Sequence, residues 1–302
     1  MPKYARNPEY LMFNKSLKTG ALISALLVLF FILAGCSDRD QDIPPSRTTG
    51  GELIIGIDES LKPFADAEIA MFTVYYPDSR ITPVYSPEKA VIEKLLSNDI
   101  QTGIICRNLY KSESDYIENE YNHPVTAFKI ADDRIVALAN RESDLNTVSY
   151  DCIKEISSGI LHKNETRTIV VTTKSSSIDR YFYPASESSP ESAFALDSTT
   201  DVIDYVRNNA SAIGLVGGSW LFKKKMPSDI KILTYSESST TYDNKEKNFS
   251  REVYAVTHEP FTGLGKGFIS FMASHKGQLI ITRAGMTPFK PIEREIEISE
   301  SF

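Results

Sequence analysis

Apolar positions along these 302 residues fall into one long run and then a series of short ones. The long run, Ala21 to Ala34, has Lys15 and Lys18 before it and Gly35-Cys36 after it. It is shorter than the roughly 20 residues a membrane-spanning helix needs. Residues 37 to 50, SDRDQDIPPSRTTG, are polar, hold Pro44-Pro45 and show no apolar period, so they read as a linker. From Gly51 onward the pattern switches between two periods. Leu53-Ile54-Ile55-Gly56-Ile57 predicts a buried strand, and residues 61 to 76 predict a helix through Phe64, Ile69, Met71, Phe72 and Tyr75. Ile81 to Tyr85 is a second strand. Residues 87 to 98 form a helix through Ala90, Val91, Leu95 and Leu96, and Gly103 to Cys106 is a third strand. A β-α-β-α-β order of this kind builds a parallel sheet wrapped by helices.

A second unit follows. Phe128 to Ile130 and Ile135 to Leu138 read as strand, interrupted by Asp132-Asp133-Arg134. Residues 149 to 158 predict a helix with Ser149 as its cap and Gly159 as its stop. Thr168 to Thr172 is a strand, Ser198 caps a helix through Val202, Tyr205 and Val206, and Ala212 to Val216 is another strand. After a polar break at 236 to 250, Glu252 to Thr257 returns to strand. Residues 264 to 284 read as one helical segment, and Ile292 to Ile298 as an edge strand. The class is therefore α/β, with the second unit inserted in the first.

Charge narrows the function. Residues 1 to 35 hold four of the 33 basic residues and one of the 40 acids, which leaves 29 basic against 39 acidic residues beyond them. A surface that acidic argues against nucleic acid, whose phosphates need basic neutralisation. It still permits a locally positive cleft. Cys106 ends an apolar strand and Cys152 lies near a helix start, so both are expected to stay free thiols, although an oxidising compartment would allow them to pair. No Cys/His spacing suits a metal, and the four histidines show no catalytic spacing. A Gly-x-Ser-x-Gly elbow, a His-Glu-x-x-His helix and a phosphate-binding Gly-Lys-Ser/Thr loop are all missing, so neither an enzyme nor a cofactor is expected.

Leu33-Ala34-Gly35-Cys36, at the end of a short apolar run with a basic flank, resembles a bacterial lipoprotein signal. That resemblance implies cleavage before Cys36, lipid on Cys36 and an extracytoplasmic, membrane-tethered protein. Four further segments resemble the phosphate ABC transporter substrate-binding proteins. They are Ile104-Ile105-Cys106-Arg107-Asn108-Leu109, Ser175-Ser176-Ser177-Ile178-Asp179-Arg180-Tyr181-Phe182, Ala212-Ile213-Gly214-Leu215-Val216, and Ser250-Arg251-Glu252-Val253-Tyr254. The last is followed by Gly265-Lys266-Gly267-Phe268, His275-Lys276-Gly277-Gln278 and Gly285-Met286-Thr287-Pro288. The resemblance implies a two-lobed periplasmic-binding-protein-like fold of the second type, with two crossover strands near 134 to 140 and 250 to 257. Residues 1 to 35 would then be signal and 36 to 50 tether. Residues 51 to 138 would form lobe 1, completed by 250 to 302, and residues 139 to 249 the inserted lobe 2. It also implies a monomer that binds inorganic phosphate or a similar oxyanion and hands it to an ABC transporter permease.

An oxyanion needs converging N–H and O–H donors, and strand ends and helix starts supply them. Ser60 opens the first helix, Arg107 follows the third strand, and Ser175, Ser176 and Ser177 follow the lobe-2 strand. Arg180 and Asp58 complete the candidate ligand set, Asp58 as acceptor for a protonated anion. Each has a plainer reading: Arg107 paired with Asp58 or Glu59, Ser60 as a helix cap, the serines as turn residues, Arg180 as a surface partner for Glu187. Asp58 and Glu59 stand where the family carries Gly, Ser and Thr. They motivate the alternative of a non-transport interaction or sensor lipoprotein with a degenerate cleft.

Overall fold

The computed structural model describes residues 47–157, 168–171, 175–182, 194–223, 227–236 and 249–290. The apolar run, Cys36, Gly159, Glu187, the polar stretch 237 to 248 and the tail at 292 to 298 lie outside these residues.

The N-terminal alternation forms as the pattern requires. β1 (Gly51–Asp58) lies between β2 (Ser79–Ser86) and β3 (Thr102–Ile105), all parallel. Helices α1 (Lys62–Tyr75) and α2 (Glu88–Leu96) connect them. The next helix, α3 (Lys111–Tyr121), carries no apolar stripe that would announce it, since Ile117 is its one buried residue. It is defined at its start by Glu113, which accepts the Tyr110 N–H at 2.7 Å, and at its end by Asn122 in the left-handed region, φ 54°.

β4 (Thr126–Asn140) is a single 15-residue strand, where the polar triplet Asp132-Asp133-Arg134 predicted a break. The chain continues through β5 (Thr147–Val148), α4 (Tyr150–Ser157), β6 (Thr168–Val171), α5 (Ser177–Phe182), β7 (Phe194–Ala195) and α6 (Thr199–Asn208). Ser149 and Ser198 cap α4 and α6 through their side chains as expected. β8 (Ala212–Gly217), α7 (Trp220–Lys223), β9 (Ile230–Ile232) and β10 (Thr234–Tyr235) lead to β11 (Ser250–Thr257). The C-terminal helical segment is two helices, α8 (Leu264–Met272) and α9 (His275–Arg283), because Ser274 breaks the period and caps α9; β12 (Thr287–Pro288) follows. Gly277 lets the second helix turn back on the first: a Cβ there would sit 2.4 Å from the Phe271 carbonyl oxygen.

The main sheet runs β2-β1-β3-β11-β4-β8-β6-β7. β4 pairs with β11 over 126 to 134 and with β8 over 135 to 139. Two apolar cores flank the first part of the sheet, one containing Ile55, Ile57, Phe72, Val253 and Phe268, the other Val91, Leu95, Ile105 and Val256. Two more flank the second part, and the alternation of β4 feeds both: Ile135, Ala137 and Ala139 enter one, Val136 and Leu138 the other. Covered on both faces, these strands read as unbroken apolar runs. The sheet thus falls into two parts flanked by separate cores, the two lobes, and β4 runs through both, pairing with β11 in one and with β8 in the other.

Candidate functional site

The crossover strands hold an ion pair that the sequence pattern hid. Arg251 on β11 and Asp133 on β4 are direct cross-strand partners, and the Arg251 Nη2 donates to Asp133 Oδ2 at 2.8 Å. Arg251 is 5% exposed and Asp133 0%. The pleat turns their neighbours outward, where Asp132 faces Glu252 and Lys129 bridges both at 2.9 Å. Burial pushes the Asp133 carboxyl up, against the pull of Arg251. Burial also works against the Arg251 charge, but the acidic groups around it, Asp133 and Asp58, outweigh it and move its pKa up, so the guanidinium stays protonated.

From this pair a chain of hydrogen bonds runs between the lobes. Arg251 Nη1 donates to Ser177 Oγ at the start of α5, and Ser177 Oγ lies 3.4 Å from Ser60 Oγ. Ser60 donates its hydroxyl to Asp58 Oδ1 at 2.7 Å, which leaves Ser177 as the donor between the two serines. Asp58 ends β1, and its Oδ1 also accepts the Ser60 N–H at 2.9 Å. Asp58, Ser60 and Ser177 are all buried, and among the described residues Asp58 Oδ2 and Arg251 Nε have no partner.

The other predicted residues take different places. Arg107 Nη1 and Nη2 both donate to Glu113 at 2.7 Å, and its guanidinium lies 3.9 Å over the Tyr110 ring. Its ion-pair partner is thus Glu113 rather than Asp58 or Glu59. Arg180 reaches into the other lobe, to Glu88 Oε2 at 2.5 Å and the Cys106 carbonyl at 2.9 Å. Ser175 sits exposed at φ 69°, and its carbonyl accepts from the Lys89 N–H at 3.4 Å. Ser176 is buried and accepts the Asp179 N–H at 3.1 Å. Glu59 caps the lobe-2 helix α6, accepting the Thr199 N–H and hydroxyl at 3.1 and 2.7 Å. Desolvation pushes Glu59 up while these two bonds pull it back. Trp220 Nε1 donates to the Ser60 carbonyl at 3.0 Å.

Asp58, Glu88 and Cys106 bring metal-ligand atom types within 4.8 Å of one another. They make a poor metal site. Both Glu88 oxygens already accept hydrogen bonds, from Arg180 and from the Cys106 N–H, and burial pushes the Cys106 thiol up and keeps it protonated. Among the described residues neither Cys106 nor Cys152 is in a disulfide. Two hollows of about 520 and 560 Å³ open on the outside of lobe 1, one beside Leu96 and Tyr116 and one beside Tyr75 and Lys276. Neither lies between the lobes, where the protein's own side chains meet.

Two lobes that share β4, with polar side chains of both meeting between them, are the arrangement of a binding protein of the periplasmic type. The profile of the PBP superfamily domain matches residues 43–276, and the chain belongs to that superfamily. The superfamily is one of binding proteins rather than enzymes. Among solved structures, one from Clostridium perfringens, assigned as a phosphate ABC transporter substrate-binding protein and solved with bound phosphate, superposes with TM-score 0.66 at 21% identity. It covers 80% of this chain and 100% of that one. An ABC-type phosphate transport receptor from Vibrio cholerae gives TM-score 0.58 at 19% identity, over 79% of this chain and 100% of the other. The regulatory domain of CcmR from Synechocystis, in complex with 2-PG, gives 0.53 at 12%, over 74% and 95%. No curated protein matches the sequence significantly. Among the described residues no helix is long and apolar enough to cross a membrane.

Proposed function

We propose that this protein is a lipid-anchored receptor that captures an inorganic oxyanion, phosphate first, between its lobes and delivers it to an ABC transporter permease. The observation that carries this reading is the meeting of Ser60 from lobe 1 and Ser177 from lobe 2, 3.4 Å apart and joined to a buried guanidinium. Hydroxyls and a cation drawn from both lobes suit a tetrahedral anion whose capture closes a hinge. Asp58 Oδ2, buried and without a donor, would accept the proton of a protonated anion. Residues 51 to 138 with the C-terminal strand and helices would move against the inserted 139 to 249 unit. Equilibrium dialysis with labelled phosphate, arsenate and sulfate tests the reading. Retention of phosphate is expected, and retention of none of the three would overturn it.

The second reading is a sensor or interaction lipoprotein on the same fold. It is favoured by the internal satisfaction of the cleft: Ser60 already bonds to Asp58, and Arg251 to Asp133 and Ser177. The regulatory domain of CcmR shows that the fold is not restricted to transport receptors.

Anchoring makes its own prediction. One acyl chain binds a membrane only marginally, so a stable anchor on Cys36 takes more than one. Cys36→Ser is expected to leave the precursor uncleaved and unlabelled by palmitate. Normal processing of that variant, read by mass spectrometry, would remove the anchor.

A further inference from the structure

We infer that Arg251 is the residue that holds the anion's charge in this cleft, that Asp133 positions it, and that Arg107 takes no part. The inference rests on the oxyanion reading above and names the group that would carry it. Of the three arginines near the candidate loops, two have their guanidinium groups committed elsewhere. Arg107 makes a two-pronged bond to Glu113 and a third to the Asn108 carbonyl. Arg180 is held by Glu88 and the Cys106 carbonyl. Arg251 keeps Nε buried with no acceptor among the described residues. A buried donor without a partner costs about 1–3 kcal/mol, more when it is charged, and an acceptor brought by a ligand is the explanation the oxyanion reading supplies.

The surroundings fix that guanidinium in place. Nη2 is pinned by Asp133 and Nη1 by Ser177, so the side chain is preorganised before any anion arrives. Gly217, at the end of β8, closes the site from lobe 2. A Cβ there would lie 2.6 Å from the Ser60 carbonyl oxygen, 2.9 Å from Arg251 Nη2 and 3.1 Å from Asp133 Oδ2. Glycine therefore lets lobe-2 backbone approach the pair. Arg251 sits where the lobes meet: it bonds to lobe-2 Ser177, whose Oγ lies 3.4 Å from Ser60 Oγ of lobe 1. Guanidinium geometry matters here: an ammonium would keep the charge and the Asp133 pairing but could not serve Ser177 and an anion at the same angles.

Titration calorimetry with inorganic phosphate on the wild type, Arg251→Lys and Arg107→Ala tests this, with thermal melts as a fold check. Arg251→Lys is expected to weaken phosphate binding about tenfold or more, the loss of one charged hydrogen bond, while Arg107→Ala stays within about twofold. Because Arg251 is buried, a second measurement uses the wild type alone: the 15Nε–H resonance of Arg251 should shift on phosphate addition and that of Arg107 should not. Wild-type affinity in folded Arg251→Lys, or an Arg107 resonance that moves while Arg251 stays still, overturns this inference and leaves the oxyanion reading standing. A wild type that binds no phosphate, arsenate or sulfate overturns both.

Discussion

Replacing Glu68 with leucine will raise the stability of the protein by about 3 kcal/mol at pH 7, and by more in alkali. Glu68 lies on the core face of α1, one turn from Phe64 and one from Phe72, and is 0% exposed. Neither of its carboxylate oxygens has a hydrogen-bond partner among the described residues. Burial alone pushes its pKa from 4.5 up to about 9, so the folded protein holds a proton that the unfolded chain releases. The folded pKa is the higher one. Stability is therefore complete below pH 4.5 and declines at about 1.4 kcal/mol per pH unit as the pH rises toward the folded value. Leucine removes the ionisable group and fills an apolar position with an apolar side chain of similar size. Urea denaturation across this pH range should show a wild-type slope that the leucine variant lacks. Glu68→Gln should lose the slope as well but gain less stability, since a buried amide still needs partners. Identical slopes in wild type and variant would mean that Glu68 is ionised in the folded protein.

Glu68 also shows what apolar patterning can and cannot convey. The pattern identified α1 from its aromatic and aliphatic stripe and passed over the acid inside that stripe. It located most of the sheet for the same reason, because strands covered on both faces are continuous apolar runs. It missed α3, whose single buried residue gives no period, and it divided β4 at Asp132-Asp133-Arg134. There the strand continues because Asp133 meets an arginine from a strand 118 residues later. That partnership lies beyond any local window. A signal for Arg251 was nonetheless present. Strand alternation puts it on the face of Val253 and Ala255, and a charge on a core face requires a counter-charge. Arg107 illustrates the opposite limit: it stands at a strand end beside the cleft segments, yet Glu113, six residues on, holds it in a local fork. Of the serine loop, Ser177 meets Ser60, whereas Ser176 takes the ordinary use of a hydroxyl at a strand-to-helix turn and caps α5 through the Asp179 N–H.

The Arg251–Asp133 pair sets the second large effect. Asp133→Ala will cost about 3–5 kcal/mol, because it leaves a fully buried guanidinium facing Asp58 alone with no neutral form available to it at accessible pH. Against a total of about 5–15 kcal/mol for a typical domain, that brings the fold close to its limit. Asp133→Asn should be milder, since the amide oxygen still accepts from Nη2 but offers no charge. Removing both charges behaves differently. Taking two ions out of water costs as much as their mutual attraction returns, so replacing the pair by Arg251→Met with Asp133→Leu should be neutral or stabilising by about 1–4 kcal/mol. The triple comparison of wild type, single and double variant by urea denaturation separates two explanations for so costly a pair at the crossover. If the ions serve the fold, the double variant will be as damaged as Asp133→Ala. If they serve the ligand, the double variant will be at least as stable as the wild type and will have lost its anion. A single variant within about 1 kcal/mol of wild type would show instead that water reaches the pair and screens it.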